Sequence, residues 1–206
     1  MCASTVVNAI LCAQVTNPSL EKRMAAEPAL HPPLAGAGRR PGWRFLVAHP
    51  AHLIALGFGS GLSPWAPGTI GTLWAWLVYV LAAPLLGEGV RGAVIAAAAL
   101  LGWWACTVTA RHLDQADPSA IVWDEVIAFW LILWLVTPAT FVAQAVAFVL
   151  FRIFDAAKPG PVAWADQRFK RRRGGPIGWA QGFGILFDDV VAALCTLVVI
   201  AAWRFV

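Results

Sequence analysis

Alternating apolar and polar stretches along the chain predict several helices that enter a membrane. The apolar runs at 70–86 and 93–110 each approach the roughly 20 residues that a helix needs to cross the hydrocarbon core. Two shorter apolar runs lie on either side of TPAT at 137–140, where Pro138 favours a break. They predict a helical hairpin whose arms dip into the membrane or barely span it. The last run, 190–203, predicts a final crossing.

Three polar regions separate these runs, and counting the crossings places all three on one side of the membrane. They are a loop rich in Gly, Pro and Ser at 59–71, a segment at 111–125 and a segment at 152–189. With a hairpin at 137–140, two passes lie between each successive pair of regions. A single long crossing over 126–150 is the competing interpretation, and it would separate the acids of the second region from those of the third.

The composition supports a membrane protein and gives it an orientation. The 206 residues are 60% hydrophobic and 13% charged, with a mean hydropathy of +0.70, which is atypical of a soluble domain. The basic residues cluster at 39–44 and 170–173, whereas only Arg91 and Arg204 lie towards the opposite face. Such clusters favour the cytoplasmic side and attract anionic lipid headgroups. Nucleic-acid binding is not expected, because the corresponding motifs are missing.

The domain organisation follows from where the apolar body begins. Residues 1–41 mix Pro, Ala, Gly and charges without lasting periodicity, which predicts a disordered tail. The apolar stretch at 45–58 is too short to cross a bilayer and is expected to lie along its interface. Residues 42–206 are expected to form a single membrane-embedded domain, an all-α multi-pass helical bundle with an interfacial site that faces the cytoplasm.

Acidic residues are concentrated where most neighbouring residues suit lipid. A carboxylate in or beside hydrocarbon is costly unless it meets a cation, so clustered acids in so apolar a chain predict a bound divalent ion. Hard oxygen ligands favour magnesium over zinc. Eight of the eleven carboxylates lie in this region: Asp114, Asp117, Asp124, Glu125, Asp155, Asp166, Asp188 and Asp189.

Two adjacent pairs of acids are the strongest candidates for a metal site. Asp124 and Glu125 fall between the apolar triplet IVW and the apolar run VIAFW, so a solvated face does not explain them. Asp188 and Asp189 are expected to open the last apolar helix. A helix start favours negative charge, and capping therefore accounts well for one aspartate but poorly for two.

Arg152, Asp155 and Lys158 stand at successive threes near a predicted helix end. One interpretation is a local ladder of ion pairs on the helix surface. The other places Asp155 on the metal and uses the two cations to hold a substrate phosphate.

The loop GSGLSPWAPGT provides backbone amides and the hydroxyl groups of Ser60, Ser63 and Thr69 directly before an apolar helix. An amide nest followed by a helix start is an arrangement that holds anions. The loop is not a Walker loop, because the GK[ST] ending is missing. The GxSxG, HExxH and dinucleotide-binding motifs are also absent, and the four cysteines lack metal or disulfide spacing.

Four ordered stretches together resemble the phosphatidylglycerophosphatase A family of bacterial inner-membrane enzymes. They are GFGSGLSPWAPGTIGTL, SAIVWDEVIAFW, FRIFDAAKPGPV and GFGILFDDVVAA, and the resemblance covers most of the chain after about residue 50. The chain departs from the family pattern at KPGP, where the family usually carries KPWP, and at Ala128, where it usually carries glycine.

The resemblance implies a largely helical fold and magnesium-dependent removal of the terminal phosphate from phosphatidylglycerophosphate, giving phosphatidylglycerol. It also implies a multi-pass protein of the bacterial inner membrane, and it makes no prediction of oligomeric state. The residues expected to hold the metal are Asp124, Glu125, Asp155, Asp188 and Asp189, and all of these except Asp188 are expected to be catalytic. The residues expected to bind substrate are Ser60, Ser63, Thr69, Arg152 and Lys158.

Two functions from other classes compete with this one. A small membrane transporter would use the same acids as an ion pathway, but it would need them at mid-membrane depth rather than at the ends of segments. A noncatalytic membrane scaffold makes no demand for paired acids.

Overall fold

A computed structural model describes residues 40–137, 139–169 and 177–204, apart from the side chain of Arg204. These residues contain helices and no strand, which confirms the predicted all-α class. A short 3-10 segment, Gly57–Leu62, precedes α3, and another, Ala83–Leu85, follows it. The α-helices are α1 (Trp43–Ala48), α2 (Pro50–Ala55), α3 (Pro67–Ala82), α4 (Glu88–Leu113), α5 (Trp123–Val136), α6 (Phe141–Ala157), α7 (Gly160–Arg168) and α8 (Trp179–Arg204).

Three of these helical segments are long and apolar enough to cross a membrane. They are Pro67–Leu85, Glu88–Leu113 and Trp179–Trp203, and they contain the three long apolar runs of the sequence. Two of them begin well before the runs that predicted them. Helix α4 starts at Glu88 directly after Gly87, and α8 starts at Trp179 within the glycine-rich approach.

The break at TPAT is confirmed, and it produces an antiparallel pair, α5 and α6. Helix α5 ends at Val136, and α6 begins at Phe141 with Thr140 as its N-cap, whose hydroxyl accepts a hydrogen bond from the Ala143 amide at 3.2 Å. A single continuous crossing over 126–150 is therefore excluded. At 14 and 17 residues, these helices are shorter than the three crossing segments.

Helix α5 is the centre of the bundle. It packs against α3, α4, α6 and α8 and buries Val126, Phe129 and Ile132 completely. Two of its three indole groups donate to backbone oxygens of neighbouring helices, Trp123 to Ala98 at 3.0 Å and Trp130 to Ala75 at 2.8 Å. A helix that is apolar on all sides is stable when other helices surround it, and this position explains the unbroken run VIAFWLILWLV.

The crossing of α4 and α8 depends on a missing side chain. A Cβ atom at Gly182 would overlap the hydroxyl of Thr107, so the two backbones meet at a distance that only glycine permits. The WAQGFGILF part of the glycine-rich approach therefore forms much of the first half of α8, where the sequence alone suggests a loop.

The position predicted for Asp188 and Asp189 is consequently wrong. They do not open the last helix but lie nine and ten residues after Trp179, roughly 15 Å along α8. The helix-start argument for these acids does not apply.

Two predicted segments lie outside the described part of the chain. They are residues 1–39 of the tail predicted at 1–41 and the basic run 170–173.

Candidate metal site

Three carboxylates from two helices meet at one end of the central helix. Asp124 and Glu125 lie in the first turn of α5, and Asp189 faces them from the interior of α8. Each offers one oxygen atom, and these three atoms all lie within 4.8 Å of one another. We call this group the acid cluster. It joins the second and third polar regions of the sequence, as the hairpin topology predicted.

The acid cluster is buried, and part of its hydrogen-bonding capacity is not used within the described residues. Asp189 is 4% exposed, and the Glu125 side chain is 12% exposed. One buried oxygen on each residue, Asp124 Oδ1, Glu125 Oε2 and Asp189 Oδ2, has no hydrogen-bond partner. Unpartnered carboxylate oxygens so close together are costly in an apolar bundle unless a cation joins them, so the residues present fit a divalent metal.

Arg152 and Asp155 border the acid cluster from α6. One guanidinium nitrogen, Arg152 Nη1, lies 2.6 Å from Asp155 Oδ2 and 3.7 Å from Glu125 Oε1. Asp155 also interacts electrostatically with Asp189. The predicted pairing of Arg152 with Asp155 is confirmed, and it is one part of a network that reaches across the hairpin to α5.

The first turn of α3 closes another side of the acid cluster. A Cβ atom at Gly68 would overlap Glu125 Oε1 and would lie 3.1 Å from Arg152 Nη2. The chain enters this turn through Ala66, whose φ of 41° is in the left-handed region, and through Pro67 at the first helical position. The glycine-rich loop therefore delivers a helix start directly against the acids.

Lys158 does not complete the predicted ladder with Asp155. It follows the last residue of α6 in a left-handed conformation, with φ of 42°, and its Nζ donates to Asp166 Oδ1 and to Asp188 Oδ2, each at 2.6 Å. Burial alone would lower the pKa of Lys158, but these two hydrogen bonds outweigh it and raise that pKa, so the ammonium group stays charged. Asp188 thus pairs with Lys158, while its neighbour Asp189 faces the acid cluster.

The three hydroxyl residues of the first loop occupy different settings. Ser60 Oγ donates to the Gly57 carbonyl at 2.9 Å, and Ser63 Oγ donates to the Trp65 carbonyl at 2.8 Å, so both hydroxyl groups hold the loop itself. Ser63 also lines a cavity of about 230 Å³ with Arg40. Thr69 lies within α3, next to Gly68.

The roles of two residues around the site were not predicted from the sequence. Gly68 contributes the space that a side chain would fill, and only its place before an apolar helix pointed to it. Asp166 pairs with Lys158 from α7, a helix that was not predicted from the sequence.

The fold and the site define a class of protein. Three helical segments able to cross a membrane and a buried group of carboxylates that could hold a metal are the arrangement of an integral membrane protein with a candidate metal site. Comparison with known proteins is more specific. A family model, Phosphatidylglycerophosphatase A, matches residues 53–204. The chain belongs to the phosphatidylglycerophosphatase A family, and it is therefore a phosphoric monoester hydrolase.

Several curated relatives are similar over most of their length. Phosphatidylglycerophosphatase A of Haemophilus influenzae is 35% identical over 159 residues, which are 77% of this chain and 91% of the relative. The protein of the same name from Escherichia coli is 36% identical over 73% of this chain and 81% of its own. A Bacteroides thetaiotaomicron protein, provisionally named a phosphatidylinositol-3-phosphatase, is 35% identical over 75% of this chain and 93% of its own. No solved structure matches the chain.

Proposed function

We propose that this protein hydrolyses the terminal phosphomonoester of phosphatidylglycerophosphate at the acid cluster, with magnesium as its cofactor, and releases phosphatidylglycerol and phosphate. The observation that carries the proposal is the group of buried, unpartnered carboxylate oxygens within the part of the chain that the family model matches. Two curated relatives carry this substrate in their names. All three curated relatives are named as phosphatases of phospholipids, which supports a lipid phosphomonoester as the substrate class.

The proposed roles follow from the position of each side chain. Asp124, Glu125 and Asp189 would hold magnesium, which when bound would polarise the phosphoryl group and increase the acidity of a water molecule. Asp155 would orient the attacking water and hold its proton, because it is the next carboxylate beside the cluster. Arg152, already paired with Asp155 and close to Glu125, would balance negative charge on the phosphoryl oxygens.

The first turn of α3 would hold the phosphate from the other side. The amides at the start of a helix have no partner in their own helix and attract anions. At this helix start the Gly68 position directly adjoins Glu125 and Arg152. Asp188 and Lys158 would act less directly, because Asp188 pairs with Lys158 and is not one of the three carboxylates of the acid cluster.

The proposed location is the bacterial inner membrane, with the acid cluster at the cytoplasmic side. Arg40 and Arg44 precede the bundle, and Arg111 and Arg168 lie in the last turns of α4 and α7, near the same end as the site. Basic residues beside crossing helices favour the cytoplasm.

A test is phosphate release by the purified protein with and without magnesium. Asp124→Asn and Asp189→Asn should each lower turnover by roughly a hundredfold or more, because each removes a charged metal ligand. Glu88→Gln is the matched control, since Glu88 lies in the first turn of α4, at the far end of the bundle. Near-normal turnover in both Asn variants would contradict the assigned roles. Ion flux in vesicles without phosphate release would favour the transporter instead.

A further inference from the structure

A long apolar groove lies between α6 and α8, at a distance from the acid cluster. It has a volume of about 640 Å³ and is lined almost entirely by hydrophobic side chains, with Thr140 at the hairpin turn. The residues that shape its length are Val142, Val146 and Leu150 on α6, and Val199, Ile200 and Trp203 on α8. Its lining contains no charged residue, in contrast to the site end of the same two helices.

The groove has a fixed position relative to the acid cluster. On α6 it begins at Leu150, two residues before Arg152, and follows the helix back to Thr140 at the hairpin turn. On α8, Val199 lies ten residues beyond Asp189, roughly 15 Å farther from the start of the helix. The α6 wall therefore begins near the level of the site, and the α8 wall lines only the deeper part of the groove.

The length of the groove matches the depth of one leaflet. From Leu150 to Thr140, α6 rises by about 15 Å, and half of a hydrocarbon core of about 30 Å is the same depth. A phospholipid whose phosphate is at the acid cluster would extend its acyl chains in this direction. We propose that the groove is a binding site for one acyl chain of the phospholipid substrate, an inference that rests on the proposed function.

The groove would act through packing and orientation. Lipid tails are as apolar as the side chains that line the groove, so moving an acyl chain from the bilayer into it gains little from the hydrophobic effect. A chain held between α6 and α8 instead loses its freedom to swing, and this holds the attached phosphate at the acid cluster. Only a chain long enough to reach Val146 and Val199 can benefit.

A matched pair of substitutions tests this site. Val146 lines the groove and is 51% exposed, whereas Val149, on the same helix, is 53% exposed and is not part of the lining. Val146→Trp fills the groove, and Val149→Trp places the same bulk towards lipid. In detergent micelles, Val146→Trp should lower kcat/KM for a substrate with two sixteen-carbon chains by about fivefold, and leave kcat/KM for a six-carbon version unchanged.

The other outcomes count against the acyl-chain site. Equal behaviour of Val146→Trp and Val149→Trp on both substrates would overturn it. An equal loss on long and short substrates would also overturn it, because the groove would then serve the fold or an interface with a second copy of the chain. Turnover of the six-carbon substrate by the unmodified protein tests the proposed function separately.

A second measurement does not depend on turnover. A phosphatidylglycerophosphate with a photoreactive group near the end of one acyl chain should cross-link to the peptides that carry Val146 and Val199. Phosphatidylcholine with the same chain should label the exposed apolar surface of the bundle evenly. Equal labelling of the groove by both lipids would overturn the inference.

Discussion

Gly68 shows how a single absent side chain can define a reactive site. Its position in the first turn of α3 leaves Glu125 and Arg152 room to approach the helix start. A methyl group there would displace the carboxylate or the guanidinium group, or move the whole turn. The surrounding helices need not change, since the collision involves the ends of side chains.

Gly68→Ala should therefore abolish most of the phosphatase activity while the protein remains folded. Gly89→Ala is the control, because Gly89 lies in the first turn of α4 and a Cβ atom there would have no neighbour within 4 Å. Activity should be measured beside the thermal unfolding temperature. Full activity in Gly68→Ala would show that the first turn of α3 is not part of the site.

His52 is a buried base beside the end of α4. Its ring is fully buried, its Nδ1 donates to the Phe45 carbonyl at 2.7 Å, and its Nε2 lies 2.7 Å from His112 Nδ1. Because Nδ1 carries the hydrogen, Nε2 accepts from His112. Burial, followed by the nearby His112 and His49, lowers the pKa of His52 to about 4, despite the opposing effect of the Phe45 carbonyl.

Acid should consequently destabilise the fold through His52. Between its unfolded pKa near 6.5 and its folded pKa near 4, the unfolded chain binds more protons than the native state, so the free energy of unfolding falls as pH falls. The unfolding temperature of the unmodified protein should drop more steeply from pH 7 to pH 5 than that of His52→Gln. His49→Gln should retain the steep dependence, and parallel curves for all three proteins would refute this assignment.

The acids were predictable as residues because their cost in an apolar chain is visible in the sequence. Asp124, Glu125 and Asp189 were all singled out, and the structure brings them together. The partner of Asp188 could not be predicted in the same way. That ion pair depends on Lys158 turning back at the end of α6, and a three-residue spacing suggested Asp155 instead.

At the scale of helices, the apolar runs located the crossing segments but not their ends. Helix α8 begins eleven residues before the run at 190–203, because Gly182 fits against Thr107 and Gly184 fits against Phe169. Glycines that suggest a loop in the sequence here permit close packing between elements. Such a fit depends on residues far away in the chain and has no local signal.

Helix α7 was missed for a related reason. Its sequence GPVAWADQR is short and starts with Gly and Pro, yet Val162 and Ala165 are buried, and Lys158 connects Asp166 on α7 to Asp188 on α8. Buried apolar side chains and an ion-pair bridge to α8 thus hold this helix in place. Local periodicity over nine residues could not reveal it.

Lys158→Met should loosen α7 from α8. Both carboxylates would lose their shared cation and would remain largely buried. Hydrogen exchange of residues 160–168 should become faster, by roughly tenfold for the loss of a partly exposed ion pair. Arg168→Met is the control at the exposed end of α7, and Lys158→Arg should restore part of the protection. Unchanged exchange in Lys158→Met would contradict this role.

At the scale of the whole molecule, the central position of α5 sets the depth of the site. The acids at its first turn are level with the interior of α8 and not with its start, so a substrate phosphate has to reach below the start of that helix. A lipid substrate suits this depth, because its headgroup and the upper part of its acyl chains already lie at the membrane surface.

The proposed orientation has a direct test in a variant whose four cysteines are replaced by alanine. The first reporter is Trp164→Cys, since Trp164 is on α7 at the site end and is 61% exposed. The second is Leu85→Cys, since Leu85 is at the opposite end and is 84% exposed. A thiol reagent that does not cross membranes should label Trp164→Cys only in inverted vesicles and Leu85→Cys only in intact cells. The reverse pattern would place the acid cluster outside the cytoplasm.

Adjacent positions on a helix point about 100° apart, so Asp188 and Asp189 belong to two different sectors of α8. One sector contributes Asp189 to the acid cluster and the other pairs Asp188 with Lys158, and Gly182 is the point at which the same helix contacts α4. The nine-residue stretch from Trp179 to Phe187 thus sets the angle between the α4 contact and the two aspartates. Inserting one residue within it, after Gly182, would rotate the α4 contact away from both aspartates, while every side chain of the site remained present.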